Sequence, residues 1–200
     1  TDSQISPSFD TSGLRRGMTY RIDAPAAYQS TKSYGHEMGF SCCFRQWRAD
    51  SHCRLLHGYA LAFKFVFESK TLDVRNWVVD FGGLKPLKAM LQDTFDHTLL
   101  VAEDDPKKQV LLDLDRVHGI ARVVEVSASG CERTAELVYQ VTEQWLKDAG
   151  YGHVHLVSVE VAEHGANSAV YVGERATQVG GWYVWDKQNH RTVLLFGQGR

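Results

Sequence analysis

Between Cys53 and Glu68 the chain reads CRLLHGYALAFKFVFE, and its second half alternates without a break. Tyr59, Leu61, Phe63, Phe65 and Phe67 share one parity, while Ala60, Ala62, Lys64, Val66 and Glu68 share the other. On a helix those rings would be spread around the axis; on a strand they line one face. The stretch is therefore expected to be a strand packed on a core through its aromatic side. His57 has the parity of Tyr59 and precedes the strand, with Gly58 between them, and Cys53 lies four residues before His57. A thiol and an imidazole at the mouth of such a strand are either a reactive pair or a buried cysteine beside a core histidine.

The rest of the chain bounds these choices. Its 200 residues suffice for one domain, alone or with an appendage, and 44% hydrophobic with 23% charged residues is ordinary for a soluble protein. A net charge of −2 gives no general attraction to nucleic acid or anionic lipid, and no apolar run is long enough to span a bilayer. The cysteines, Cys42, Cys43, Cys53 and Cys131, form no CxxC pair and no disulfide-like framework. A reducing cytoplasm is the expected compartment, with neither nucleic acid nor membrane as partner.

Residues 1–17 (TDSQISPSFDTSGLRRG) read as a disordered leader or tag, with Met18 a plausible start. Residues 18–173 are expected to form the main domain, and 174–200 an extension built as a hairpin or docking arm around DKQNH. Within the domain, Tyr34–Arg45 reads as a strand carrying His36, Met38, Phe40, Cys42 and Phe44 on one face. WVVDF (77–81) reads as a buried strand end. Leu84, Leu87, Leu91 and Phe95 predict a helix over 84–95, with Pro86 in its first turn. DHTLLVAEDDPKKQ is read as an acidic loop, and VLLDLDRV and ARVVEV as short strands. SGCERTAELVYQVTEQWLKDAG predicts a second helix with Leu137, Val138, Val141 and Trp145 inward. HVHLVSVEVAEHG is a strand with Val157, Val159, Val161 and Glu163 on one side, followed by SAVYV. The resulting class is α+β, an antiparallel four-stranded sheet with two helices on one face.

Five motifs stand in order: CRLLHGY (53–59), VVDFGGLK (78–85), FDHTLLV (95–101), TAE (134–136) and VAEHGANSAVY (161–171). Together they resemble the 6-carboxytetrahydropterin and 6-pyruvoyltetrahydropterin synthase family of the tunnelling fold. The resemblance implies Cys53 as catalytic thiol, Asp96 and His97 as its proton relay, and Glu163 as the carboxylate that accepts the paired N–H donors of a pterin ring. It implies 7,8-dihydroneopterin triphosphate or a related dihydropterin as substrate. The carboxy branch, which feeds deazaguanine (queuosine-type) synthesis, is preferred on the compact CRLLHG motif; the pyruvoyl-type synthase is the alternative. It also implies self-association as a trimer or hexamer that joins sheets into a barrel, with active sites between subunits.

The family holds zinc through three histidines, and here Phe44 and Tyr59 stand where two of them belong, leaving His57. Three readings follow. Zinc is kept by substitutes, with His52, Cys42 or Cys43 joining His57. Alternatively the site works without metal on a pterin or purine-derived ligand, with Tyr59 as hydrogen-bond donor and Arg45, Arg48 and Arg54 on phosphate. In the third reading the domain binds without catalysis, and Trp47, Trp182 and Trp185 are interface anchors.

Overall fold

The computed structural model describes residues 27–174 and the strand segments 181–186 and 191–196. In chain order these form β1 (Tyr28–Tyr34), β2 (Phe40–Phe44), β3 (His57–Ser69), α1 (Lys85–Phe95), β4 (Thr98–Ala102), α2 (Lys108–Arg116) and β5 (Val123–Val126). They continue with α3 (Cys131–Asp148), β6 (His155–His164), β7 (Asn167–Val172), β8 (Gly181–Asp186) and β9 (Arg191–Phe196).

The alternating aromatic stretch is β3, and it organises the sheet. Its first residues pair antiparallel with β2, from Phe44↔His57 to Phe40↔Leu61. The remainder pairs with β1, from Tyr34↔Phe63 to Tyr28↔Ser69, and with β6 from Ala62↔Ala162 to Glu68↔His155. Phe63, Phe65 and Phe67 are at most 1% exposed, and the Phe63 ring lies 5.0 Å from that of Phe95 on α1. Burial of each such side chain is worth about 1.5–3 kcal/mol, which is what holds α1 and α3 on this face.

The expected four-stranded sheet is corrected to seven strands, in the order β5-β4-β2-β3-β6-β7 with β1 also against β3. The antiparallel part is extended by two parallel neighbours, β4 beside β2 and β5 beside β4. DHTLLVAEDDPKKQ, read as a loop, contains β4, all of whose residues are buried. Its acidic tail hid a strand covered on both sides, the usual condition of parallel strands. The second cover is α2: VLLDLDRV, read as a strand, is helical, and Leu111 packs with Leu99, Val101 and Cys43. Among the described residues there are thus three α-helices rather than two, with α2 apart from the core cluster that α1 and α3 share.

Other local expectations are adjusted for identifiable reasons. The strand over 34–45 is interrupted by a 3₁₀ turn at His36–Met38 that ends on Gly39, at φ 72° in the left-handed region that favours glycine. WVVDF buries Val78 and Val79 without forming a strand. Asp80 instead caps a 3₁₀ turn (Phe81–Leu84) by accepting from the Gly82 amide at 2.8 Å, and α1 follows. On α3 the buried stripe is Cys131, Thr134, Ala135, Val138, Thr142 and Leu146. These mostly small side chains let the helix lie close to the sheet. Leu137, Val141 and Trp145 are displaced to its half-buried flanks, where Trp145 packs on Tyr151. In β6 the register shifts between Val66↔Ser158 and Phe67↔Leu156, so Val157 is an extra residue and falls out of the expected alternation.

β8 and β9 pair antiparallel, from Gly181↔Phe196 to Asp186↔Arg191. The expectations for residues 1–17 and for the side chains of Trp182 and Trp185 lie outside the described residues. All four cysteines are free, and among the described residues no helix is long and apolar enough to cross a membrane.

The β2–β3 contact depends on Gly58, where a Cβ would sit 2.8 Å from the Cys42 carbonyl oxygen. Gly58→Ala must push the strands apart and is expected to cost about 1–3 kcal/mol in urea denaturation, as overpacked positions do.

Candidate functional site

The β2–β3 pairing gathers one group of side chains. Cys42 opposes Tyr59 and Phe44 opposes His57, so the three aromatic side chains leave the same face of the sheet. Phe44 is 2% exposed, with its ring 5.0 Å from the His57 imidazole and 6.3 Å from Tyr59. His57 and Tyr59 stand 5.7 Å apart, edge to face. His57 Nδ1 lies 2.7 Å from the Leu55 carbonyl oxygen, which can only accept, so Nδ1 carries the proton and Nε2 is the free lone pair.

Glu163 reaches this group through a second irregularity. β6 pairs Ala162 with Ser168 but His164 with Asn167, so Glu163 is the extra residue of a bulge, a device that re-aims side chains beside functional sites. Its carboxylate accepts from the Cys131 thiol at the first turn of α3 and lies near the Tyr59 phenol. Burial, then Glu163, pushes the Cys131 thiol up to about 12; burial also pushes Cys42 up to about 12. Tyr59 is raised by desolvation first, then by the Glu163 carboxylate and by Cys53 and Cys131, so the phenol holds its proton and can donate. The next residue, His164, brings its ring to 6.0 Å from Tyr59.

Cys53 is half-buried in a 3₁₀ turn (His52–Arg54), whose Ser51 hydroxyl accepts from the Cys53 amide at 3.3 Å. Cys53, Tyr59, Glu163 and Cys131 are thus brought together within one chain. Asp96 and His97 are not. His97 donates from Nδ1 to the Asp96 carboxylate at 2.6 Å, with the imidazole 87% exposed, just ahead of Thr98, which is in register with Cys42. Among the described residues no hydrogen bond or ring contact joins this pair to Cys53, His57 or Tyr59.

Two of the three arginines expected on phosphate are committed elsewhere. Arg45 pairs at 2.8 Å with Asp105, whose side chain is 1% exposed; a buried carboxylate needs its cation, so Arg45 is engaged in a structural ion pair. Arg48 stacks on Trp47 and pairs with Asp104 at 2.6 Å, and Trp47 donates to the same carboxylate. Trp47 is therefore tied down within the chain as well. Arg54 is exposed and makes no ion pair among the described residues.

The donor set does not fit zinc. Phe44 offers no donor, Tyr59 a protonated phenol and His57 one nitrogen. His52 is exposed, Cys43 faces Leu99 and Val101 on the opposite side of the sheet, and the Cys42 thiol is buried and protonated. Among the described residues no three His, Cys, Asp or Glu side chains gather to hold an ion. A cleft of about 440 Å³ lies elsewhere, between β1 and residues 72–82, and contains none of these residues. The polar convergence around Glu163 is the better guide to function than that cleft's volume. Sequence reasoning does not reach Cys131 and His164 as site residues; the signals for them are a thiol at a helix start and an imidazole beside Glu163.

Residues 35–174 match the family model described as 6-pyruvoyl tetrahydropterin synthase. The chain is 25% identical over 159 residues to the 6-carboxy-5,6,7,8-tetrahydropterin synthase of Aquifex aeolicus, covering 78% of this chain and 96% of that one. An uncharacterized protein from Wolinella succinogenes matches in structure with a TM-score of 0.62 at 22% identity, over 74% of this chain and 99% of its own. The 6-pyruvoyl tetrahydropterin synthase of Plasmodium falciparum matches with a TM-score of 0.52 at 12% identity, over 74% and 98%. These structures share the mixed α+β fold. With its model matched over residues 35–174, the chain belongs to the 6-pyruvoyl tetrahydropterin synthase family.

Proposed function

We propose that this chain binds a dihydropterin and acts as a carbon–oxygen lyase of the 6-carboxy-5,6,7,8-tetrahydropterin synthase type, on 7,8-dihydroneopterin triphosphate or a close relative. The observation that carries the reading is Glu163, turned by a bulge onto the face of Tyr59 and Cys131. A carboxylate held there accepts two parallel N–H donors from a 2-amino-4-oxo ring edge, and the neighbouring rings cover its face. Cys53, on the adjoining turn, is the base toward the side chain, and the protonated Tyr59 donates to a side-chain oxygen. The pyruvoyl-type reaction uses the same groups and is the alternative within this reading.

The exposed Asp96–His97 pair is the reason to include self-association. It is hydrogen-bonded and oriented but apart from Cys53 in its own chain. A trimer or hexamer would let one copy's pair serve another copy's thiol. The domain limits 18–173, the extension 174–200 and a cytoplasmic setting belong to the same proposal. A second reading, a pterin or purine binder without turnover, is favoured by the donor set that does not fit zinc.

Titration calorimetry with dihydroneopterin separates these readings. Glu163→Gln is expected to weaken binding by about 2 kcal/mol, roughly thirtyfold, because one amide hydrogen faces a donor. Cys53→Ala should keep binding and abolish consumption of the triphosphate. Mixing Cys53→Ala with His97→Ala should restore part of the activity if sites are shared. Binding without turnover in the unaltered protein selects the second reading, and no binding at all rejects both.

Thiol reactivity gives an independent check. Cys53 should be alkylated first by iodoacetamide at neutral pH. Cys42 and Cys131, buried and with pKa values pushed up to about 12, carry almost no thiolate there and should stay unmodified until the protein unfolds, as read by peptide mass spectrometry.

A further inference from the structure

The rings of Phe44, His57 and Tyr59 stand 5.0, 5.7 and 6.3 Å from one another on one face of the β2–β3 pair. Imidazoles bound to one Zn²⁺, each with its nitrogen about 2.0–2.1 Å from the ion, have ring centres roughly 5 Å apart. The Phe44–His57 separation matches that spacing and the other two are wider, so the rings stand near the places of a three-ligand site, while the atoms are not those of one. One ring is a hydrocarbon, one carries a phenol, and only His57 presents a free nitrogen, Nε2. His164 extends the row from Tyr59, but its Nδ1 accepts from the Ala166 amide and its Nε2 faces the Asn167 side-chain amide, so it adds a ring and not a ligand. The rings are tilted or edge-on to one another, as aromatic groups in direct contact pack.

We infer that an aromatic wall has taken the place of a metal here: His57 and Tyr59, backed by the buried Phe44 and extended by His164, form a metal-free stacking surface for a flat heteroaromatic base whose polar edge is held by Glu163. The metal-free part is independent of the proposed function; only the choice of a pterin as the base rests on it. A ligand bound this way is gripped by its ring face and edge. With no cation to chelate side-chain hydroxyls, dihydroneopterin gains no metal contact over pterin, and chelator leaves its affinity unchanged.

The test is metal content per chain by plasma mass spectrometry, after dialysis against zinc without chelator and removal of the excess. The unaltered protein is expected to hold less than about one zinc per ten chains, and the Phe44→His/Tyr59→His variant about one per chain. Near-stoichiometric zinc in the unaltered protein, lost in His57→Ala, overturns the inference. A folded double variant that takes up no zinc overturns it too, because the three rings would then not stand in ligand positions. Thermal melting establishes whether the double variant folds. If it does not, Tyr59→His alone, giving two imidazoles on one strand face, should bind zinc at least about tenfold more tightly than the unaltered protein, and equal binding counts against the inference. For stacking, Tyr59→Leu should weaken pterin about tenfold by fluorescence titration, and an unchanged affinity removes that half. Failure of pterin to bind the unaltered protein would reject the proposed ligand while leaving the zinc result standing.

Discussion

The antiparallel pairing of β3 is the constraint on which the rest depends. β1 and β2 take successive stretches of it, and β6 lies against its second half. Because register fixes which side chains share a face, the same pairing that buries Phe63, Phe65 and Phe67 also puts Phe44, His57 and Tyr59 together. Core and site are two parts of one alternating face, and nothing that shifts the first can leave the second in place.

Chemistry at this face follows from partial dehydration. Cys131 and Cys42 are held as neutral thiols by burial, Tyr59 keeps its proton, and the Glu163 carboxylate is set among them. A single acid ringed by donors and aromatic edges is a recognition device for a base with paired N–H groups. It is a poor cage for a divalent cation, which asks for several lone pairs converging on one point. The Arg45–Asp105 pair acts outside this face. It fastens the segment after β2 to the turn before α2, and so steadies the loop that carries Cys53.

Much of this is legible in the sequence itself. The period-two run pointed to β3, the Leu84, Leu87, Leu91 and Phe95 spacing to α1, and the motif around Cys53 and His57 to the strand end where the site lies. What escaped has physical causes. β4 was hidden because its apolar run is short and flanked by Asp and Glu, and only a cover on both faces makes it a strand. α2 is ambiguous in the sequence because VLLDLDRV satisfies both periods over eight residues. The ties of Arg45 and Arg48 to Asp105 and Asp104, and of Cys131 to Glu163, join residues far apart in the chain, and no local pattern announces them.

The bulge at Glu163 has a wider meaning for how such a site changes. The extra residue falls just beyond the last β6–β3 pair, Ala62↔Ala162, and the β6–β7 ladder resumes past it at His164↔Asn167, so neither ladder is disturbed. The acid is thus aimed by a local kink and not by the alternation that governs its neighbours. Recognition of the ligand's edge and the folding of the sheet are written in separate residues, so one can be revised without rewriting the other.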